Sequence, residues 1–194
     1  MHGAEGLRHA QVDFSKLKMD CKPFYPNHVL FEMMIPKELL KKNVGLKGIH
    51  NLIMELGECG LLTRQEIVSM LPPLLLDVHS DHLIFDMCAA PGSKTAQLLE
   101  LIQSHHTNVL QRPNTEIPTG VVVANDADPK RAFMLTHQMN RLNTANIVIT
   151  NHQAQFFPEL KYIDYTTGED VRVRYDRIIC DVPCSSDAAI RKIP

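Results

Sequence analysis

The chain has 194 residues, a formal net charge of −2, and 44% hydrophobic and 22% charged residues. This is the composition of an ordinary globular protein, and the length suffices for one sizeable core. The charge balance excludes a strongly basic chain that would bind nucleic acid over its whole surface, so any contact with RNA requires a local basic face.

The five cysteines are odd in number and irregular in spacing, and they stand at Cys21, Cys59, Cys88, Cys180 and Cys184. No Cys or His spacing is typical of a zinc site, so we expect no metal. No apolar signal segment opens the chain, and no run approaches the roughly 18 apolar residues that would span a membrane. These features predict a soluble protein of a reducing intracellular compartment, without membrane contact.

The first 82 residues are expected to precede the main domain. Residues 1–22 are polar and lack periodicity, which predicts a mobile arm, and residues 23–82 are predicted to form a helical extension. Within this extension, Thr63 and Glu66 have the spacing of a capping box, in which the two side chains bond backbone N–H groups reciprocally. The proline pair at residues 72–73 predicts an interruption of the helix that follows.

From residue 83 the pattern changes to short apolar runs that alternate with amphipathic stretches. Continuous apolar runs of this length are typical of buried parallel strands. The predicted strands are residues 83–87, 120–124, 146–150 and 177–181, and the predicted helices are residues 94–102 and 128–142. We therefore assign residues 83–194 to an α/β domain with a doubly wound sheet.

Two polar segments separate the predicted strands. Residues 104–119 contain prolines and predict an inserted surface loop, and residues 161–175 contain a Thr-Gly turn and predict a small hairpin. The chain ends after four predicted core strands, whereas open sheets of this class commonly carry more. We therefore expect the sheet to be C-terminally incomplete in this chain.

The loop after the first strand of the domain carries the main functional signal. Residues 86–95 read Asp-Met-Cys-Ala-Ala-Pro-Gly-Ser-Lys-Thr, so small residues and a Pro-Gly turn lead into a helix. Ligands of open α/β sheets bind at the carboxyl ends of strands, and a helix N-terminus offers N–H groups to an anion. The glycine patterns of phosphate and dinucleotide loops are both lacking. S-Adenosylmethionine, a phosphate-free nucleoside with a carboxylate, suits this loop and Lys94.

An acidic pair follows the second predicted strand of the domain. Asp126 stands where a carboxylate can accept hydrogen bonds from both hydroxyls of a ribose. It could instead cap the next helix, but Asp128 directly precedes Pro129 and is the better N-cap. We therefore predict that Asp126 binds the cofactor and that Asp128 caps the helix.

A Pro-Cys pair follows the fourth predicted strand, and it places the thiol of Cys184 at the mouth of the predicted site. Methylation of carbon 5 of a cytosine requires a thiolate that adds to carbon 6 and makes carbon 5 nucleophilic. A cysteine at this place therefore fits covalent catalysis. The alternative is an inert buried cysteine, and we give that interpretation to Cys21, Cys59 and Cys180.

Together these motifs resemble the Sun-domain RNA cytosine-5 methyltransferases, especially their eukaryotic tRNA branch. The similarity runs in the same order along most of the chain. The matching stretches are residues 24–26, 64–70, 72–76, 86–98, 122–128, 142–146, 151–158 and 176–185. Each stretch alone is moderately specific, and their combination is highly specific.

The resemblance implies a Rossmann-like methyltransferase domain, S-adenosylmethionine as the cofactor, and RNA, in particular tRNA, as the substrate. It also implies a location in the nucleus or nucleolus, with the cytoplasm as the alternative. The cofactor-binding residues that it implies are Cys88, Ala89, Ala90, Pro91, Gly92, Ser93, Lys94, Asp126, Gln153 and Asp181.

Two catalytic roles follow from the same resemblance. Asp181 matches the acid beside the methyl group and the target base. Family members use two cysteines, and Cys184 matches the one that assists release of the product. The attacking thiol lies in a later Thr-Cys motif, which is not among these 194 residues. We therefore expect this chain alone to transfer no methyl group.

Two departures from the family pattern keep other functions open. Gln153 stands near the adenine, where the family usually has Asp, and residues 186–189 read Ser-Asp-Ala-Ala, where the family has Gly-Asp-Gly-Thr. A degenerate, non-catalytic module that holds cofactor or RNA is therefore the second hypothesis. The third is a DNA cytosine methyltransferase with Cys184 as the nucleophile, but the flanking stretches match the RNA family.

Overall fold

The computed structural model describes residues 18–104 and 117–184, apart from the side chains of Lys37 and Ser104. The chain divides into two compact units, residues 1–64 and residues 65–194. The predicted arm up to residue 17 and most of the predicted loop at residues 104–119 lie outside the described residues. The boundary between the units falls before the expected one, which separated residue 82 from residue 83.

The first unit combines a two-stranded hairpin with two helices. The paired strands are antiparallel, and the helices follow them in the chain. The strands are β1 (Met19–Cys21) and β2 (Phe31–Met33), and the helices are α1 (Lys37–Lys42) and α2 (Lys47–Glu58). Short 3-10 turns occupy Pro26–His28 and Val44–Leu46, and Leu46 is fully buried.

The expectation of a purely helical segment at residues 23–82 is wrong, because β2 lies within it, and β1 likewise falls inside the predicted arm. Pairing of the two strands satisfies the backbone N–H and C=O groups that face the partner strand. Across the hairpin, Lys22 Nζ lies 2.5 Å from Glu32 Oε2. Strands of three residues are too short to show an alternating pattern, which is why the sequence did not predict them.

Helix α3 (Ile67–Leu75) opens the second unit without the predicted capping box. Glu66 is itself the N-cap residue, with an extended backbone (φ −74°, ψ 139°), and its side chain makes no cap hydrogen bond. The box requires Glu66 three positions inside the helix. The capping prediction for Thr63 and Glu66 is therefore wrong.

The proline pair lies inside α3 and does not interrupt it. Pro73 lacks the N–H that would bond the carbonyl of Ser69. The side chain of Gln65 supplies the missing donor, because its Nε2 atom donates to Ser69 O at 3.0 Å. From the next helix, Gln97 Nε2 donates to Met70 O at 2.8 Å. These contacts tie α3 to the second unit and explain why the boundary lies before it.

The second unit is built on a four-stranded parallel sheet with two connecting helices. The strands are β3 (Leu83–Asp86), β4 (Val121–Asn125), β5 (Ile147–Thr150) and β8 (Arg177–Ile179), and the helices are α4 (Ser93–Ser104) and α5 (Pro129–Asn140). Their lateral order is β5–β4–β3–β8. The four predicted strands and two predicted helices are confirmed, with ends that differ by at most two residues.

The apolar core of this unit joins one face of the sheet to α4 and α5. Alternate strand residues and one stripe of each helix supply it, chiefly Ile84, Val122, Ala124, Ile179, Leu98, Leu99, Ile102, Leu135 and Met139. Burying one such aliphatic side chain contributes roughly 1.5–3 kcal/mol. The packing of α4 and α5 on the sheet therefore holds β3 and β4, the strands from which the two loops of the site begin, in a defined position.

The opposite face of β3 is covered by the segment that leads from β5 to β8. The ring of Phe85 lies 4.5 Å from that of Phe157 and 4.9 Å from that of Tyr175, measured between centroids. This segment also contains the antiparallel hairpin of β6 (Lys161–Ile163) and β7 (Asp170–Arg172). The hairpin predicted within residues 161–175 is confirmed.

The strand order reverses at β3. From β3 the chain steps to β4 and β5 on one side, and it then returns to form β8 on the other side. In doubly wound sheets, ligands bind at such a switch point, beyond the carboxyl ends of the strands. The loops after β3 and β8 meet there, because Met87 N donates to Ile179 O at 3.1 Å.

Candidate functional site

The loop of residues 87–92 joins β3 to α4 at the switch point and is closely packed. Ala89 and Ala90 are buried. Gly92 has a φ of +109°, a conformation that favours glycine. A Cβ atom on Gly92 would lie 2.7 Å from Met139 Cε and 2.9 Å from Leu135 Cδ1, both on α5. The positive φ and the two close side chains of α5 therefore both favour glycine at position 92.

A buried carboxyl lies under the loop. Asp86 ends β3, is 1% exposed, and accepts a hydrogen bond from Thr95 Oγ1 at 2.7 Å. Burial raises the pKa of Asp86 to about 6, although the bond from Thr95 and the charge of Lys94 both act to lower that pKa. The Asp86–Thr95 bond joins the end of β3 to the first turn of α4, so it fixes both ends of the loop.

Lys94 and Asp181 form an ion pair across the switch point. Lys94 Nζ, from the first turn of α4, lies 2.7 Å from Asp181 Oδ2, which follows β8. The lysine side chain is 19% exposed, whereas the aspartate side chain is 60% exposed. The pair brings together two predicted site residues and leaves much of the carboxylate where a ligand can reach it.

Asp126 is 3% exposed and holds the loop through its carboxylate. Its Oδ2 atom accepts from Ala90 N at 3.2 Å, and its Oδ1 atom accepts from Asp128 N at 3.0 Å. The side chain of Asp128 caps α5 by accepting from Lys130 N and Arg131 N. The prediction that Asp128 is the helix cap is therefore confirmed.

Arg131 is a residue of this site that sequence reasoning missed. Its Nη2 atom donates to Ala90 O at 2.5 Å and lies 3.5 Å from Asp126 Oδ2. Its side chain is half-exposed, so a ligand that contacts the Asp126 carboxylate has to compete with this guanidinium. The sequence signal for Arg131 is its place in the first turn of α5, where a cation opposes the helix dipole.

The residues after β5 complete the edge of the site. Gln153 is exposed, and its Oε1 atom accepts from Gln155 Nε2 at 3.1 Å. The backbone of His152 bonds the side chain of Asn125, at 2.9 Å through its N–H and at 2.8 Å through its carbonyl. The loop that carries Gln153 is thereby tied to the end of β4, directly before Asp126.

The cysteines differ from expectation in one respect. Cys21, Cys59 and Cys180 are all exposed, so their interpretation as buried residues is wrong, and Cys180 lies beyond the end of β8. Cys184 is exposed, and its thiol is accessible. Cys88 is half-buried, and burial raises the pKa of its thiol. A protonated thiol is a poor nucleophile, which agrees with a role of the Cys88 backbone.

Other features of the described residues do not point to a second functional site. Within residues 18–104 and 117–184, no group of three or more His, Cys, Asp and Glu side chains is arranged to hold a metal ion. No helix of the described part of the chain is long and apolar enough to cross a membrane. A cleft of about 390 Å³ is lined by residues that include Met139, Asn143 and Ile147, but by none of the predicted site residues.

Two curated relatives and one solved structure are among the proteins to which the chain is similar. A multisite-specific tRNA:(cytosine-C(5))-methyltransferase of Saccharomyces cerevisiae is 41% identical over 187 residues, which cover 96% of this chain and 26% of the relative. A tRNA (cytosine(34)-C(5))-methyltransferase of Drosophila melanogaster is 40% identical, over 90% of this chain and 22% of the relative. A methyltransferase homologue protein from Pyrococcus horikoshii superposes with a TM-score of 0.57 at 22% identity, covering 92% of this chain and 46% of that one.

A family assignment follows from these similarities. The structural likeness at 22% identity supports the Rossmann-like methyltransferase fold. Residues 73–194 match the protein family described as 16S rRNA methyltransferase RsmB/F. This match covers more than half of the chain, and it confirms the resemblance to the Sun-domain methyltransferases. The chain belongs to the 16S rRNA methyltransferase RsmB/F family.

Proposed function

We propose that this chain holds the cofactor of an S-adenosylmethionine-dependent RNA cytosine-5 methyltransferase that acts on tRNA. The observation that carries the proposal is the strand switch point, where the closely packed loop meets the Lys94–Asp181 ion pair, with the exposed Cys184 three residues further along. Membership of the RsmB/F family supports this class of reaction. The chain spans about a quarter of the length of the curated relatives it matches, so the activity of the whole protein is part of the proposal.

The residues at the switch point fit S-adenosylmethionine. We assign its methionine and ribose portions to residues 88–94, its ribose hydroxyls to Asp126 and its adenine edge to Gln153. The first turn of α4 leaves N–H groups without partners inside the helix, and these groups together with Lys94 suit the methionine carboxylate. When bound, the cofactor supplies an electrophilic methyl group. Arg131 would have to yield part of its contact with Asp126 to a ribose.

Two thiols share the chemistry at the base in this proposal. Carbon 5 of cytosine becomes nucleophilic once a thiolate has added to carbon 6. We assign that attack to a Thr-Cys motif outside these 194 residues. After methylation, the proton on carbon 5 must leave before the thiol is eliminated, and we assign assistance at that stage to Cys184. Asp181, held by Lys94, lies next to the position of the target base.

A non-catalytic module that holds cofactor or RNA is the second candidate function. Gln153 favours it, because Gln is uncharged where the family usually has Asp, as does the Ser-Asp-Ala-Ala sequence at residues 186–189. RNA is the substrate in the first candidate and one of two possible ligands in the second. A nuclear or nucleolar location is part of the first candidate and rests on the family resemblance alone.

The role of Cys184 is testable in the protein expressed from the complete reading frame that encodes this chain. The protein is incubated with S-adenosylmethionine and unmodified tRNA, and products are resolved by denaturing electrophoresis. If Cys184 assists release, Cys184→Ala should still attack carbon 6 but fail to break down the adduct. Enzyme covalently bound to tRNA should then accumulate as a slowly migrating band. Cys59→Ala, which removes another exposed thiol, is the matched control and should accumulate none.

Other results, from this gel and from the 5-methylcytosine content of the same tRNA, contradict this assignment. No adduct and no 5-methylcytosine from Cys184→Ala would make Cys184 the nucleophile. Normal turnover would make it a residue without a chemical role. If the unsubstituted protein binds S-adenosylmethionine but leaves no 5-methylcytosine in tRNA, the non-catalytic module is the better account.

A further inference from the structure

Asn125, the last residue of β4, is completely buried and uses its whole side-chain amide. The Nδ2 atom donates to Met87 O at 3.1 Å and to His152 O at 2.8 Å. The Oδ1 atom accepts from His152 N at 2.9 Å and from Thr150 Oγ1 at 3.0 Å. A primary amide has two donor hydrogens and two acceptor lone pairs, so all four are satisfied.

The surroundings of this amide permit only one orientation. Two carbonyl oxygens face its nitrogen, and an N–H and a hydroxyl face its oxygen. Turning the amide over would place its oxygen against the carbonyls of Met87 and His152 and its hydrogens against other donors. No other side chain of similar size offers two donors and two acceptors in one plane. The site therefore specifies asparagine.

Asn125 and its hydrogen-bond partners link three segments of the chain at the switch point. Met87 begins the loop after β3, His152 lies in the loop after β5, and Asn125 itself precedes Asp126 on β4. The backbone carbonyl of Asn125 adds a fifth bond, since it accepts from Ala89 N at 2.7 Å. Except for the hydroxyl of Thr150, each group bonded to Asn125 thus belongs to a residue next to Cys88 or Gln153, and Asn125 itself precedes Asp126; these three residues are the ones assigned above to the cofactor.

We propose that Asn125 is a positioning residue for cofactor binding, which sets the spacing of the three cofactor loops without touching the cofactor. The inference rests on the proposed function. Thr150 is a secondary member of the same network, because its hydroxyl bonds only one edge of the amide. Loss of the network should move the loops relative to one another and weaken every contact that spans them.

A buried asparagine can also contribute to stability alone, and the chain offers a control for that effect. Asn146, at the amino end of β5, donates through Nδ2 to Pro118 O at 3.1 Å and to Gly120 O at 2.7 Å. Its Oδ1 atom accepts from Thr144 Oγ1 at 3.2 Å. Asn146 thus joins two segments of the same sheet at the end opposite the cofactor loops. Its loss should lower stability without moving the site.

The test titrates the chain with S-adenosylmethionine and with S-adenosylhomocysteine in a calorimeter, well below the melting temperature of each variant. Asn125→Ala should bind both ligands at least about tenfold more weakly, the size of effect expected when groups that orient a ligand's contacts are lost. Asn146→Ala should bind both ligands with an affinity within about twofold of that of the unsubstituted chain, even if its melting temperature falls as much as that of Asn125→Ala. Equal affinity in Asn125→Ala, or equal losses in both variants, would overturn the proposal.

If Asn125→Ala does not fold, a pair of less disruptive variants tests the positioning role of Asn125. Thr150→Val removes one bond to Asn125 and leaves the other three side-chain bonds. Thr144→Val removes the corresponding bond to the Asn146 side chain, together with the bonds that the Thr144 hydroxyl accepts from Asn146 N and Gln103 Nε2, so it is at least as disruptive locally. We expect weaker ligand binding in Thr150→Val than in Thr144→Val, and equal affinities would refute the role. If the unsubstituted chain itself binds neither ligand, the proposed function fails first and the inference fails with it.

Discussion

The carboxyl of Asp86, which is buried under the cofactor loop, should make the stability of the protein depend on pH. Its folded-state pKa of about 6 lies above the ordinary 3.8, because burial penalises the charge. The folded protein therefore holds this proton more tightly than the unfolded chain does. The corresponding stabilisation is fully present below about pH 4 and is lost as the pH rises to about 6. Above that pH, the buried charge is a constant penalty.

Substituting Asp86→Asn should remove this pH dependence while keeping an acceptor for Thr95. A pKa difference of this size corresponds to about 3 kcal/mol. The variant should therefore be more stable than the unsubstituted chain by up to about 3 kcal/mol at pH 7, and the difference should vanish near pH 4. Urea unfolding of both proteins at intervals between these pH values measures it. A difference that does not change with pH would show that Asp86 is not the titrating group.

Asp126 and Asp128 offer a matched comparison at two positions in one turn. Asp126→Ala should reduce the affinity for S-adenosylmethionine by roughly 1–3 kcal/mol, the range for unpairing a buried hydrogen-bonding group. Asp128→Ala removes the cap of α5 and should lower stability by about 1 kcal/mol while leaving the affinity unchanged. Calorimetry and thermal melts of both variants separate the two effects. An affinity loss in Asp128→Ala alone would reverse the roles.

Single residues were predictable where a local rule applied to them. The cap at Asp128 followed from its position before Pro129. Arg131 was not predictable, because its contacts with Ala90 and Asp126 depend on how α5 packs over the loop. The burial of cysteines was misjudged for a similar reason, since burial is set by neighbours distant in the chain.

At the scale of elements, the sheet strands and connecting helices of the second unit could be predicted from their apolar patterns. Helix α3 is an element for which the sequence patterns gave a wrong prediction. Two prolines in succession favoured a break, and Thr63 with Glu66 favoured a capping box. The helix continues because the side chain of Gln65 reaches the orphaned carbonyl of Ser69. A hydrogen bond from a side chain that precedes the helix can replace the missing backbone donor, but it leaves no periodic pattern in the sequence.

A double-mutant cycle can measure how the hydrogen bond from Gln65 to the Ser69 carbonyl is coupled to Pro73. Gln65→Ala leaves the Ser69 carbonyl without its donor and should lower the free energy of unfolding by about 1 kcal/mol. In a Pro73→Ala background, the restored backbone N–H can bond that carbonyl, so Gln65→Ala should have a smaller effect. Urea unfolding of the four proteins gives the coupling energy. Equal effects of Gln65→Ala in both backgrounds would show that the two donors are independent.

For the whole molecule, the doubly wound parallel sheet was predictable, but the place where its strand order reverses was not. The order β5–β4–β3–β8 is set by pairing between residues far apart in the chain, such as Phe85 with Ile178. This pairing brings Asp181 to Lys94, and it makes the end of β3 the centre of the site. The resemblance named both residues, whereas their contact emerges only from the fold.

Binding of S-adenosylmethionine at the switch point can be measured by calorimetric titration of this chain with that cofactor. ATP and a nicotinamide dinucleotide are the matched control ligands, because the loop lacks the glycine patterns that bind their phosphates. We expect saturable binding of S-adenosylmethionine, with a rise in melting temperature, and no binding of either control. No heat and no thermal shift with millimolar S-adenosylmethionine, or equal binding of all three ligands, would contradict it.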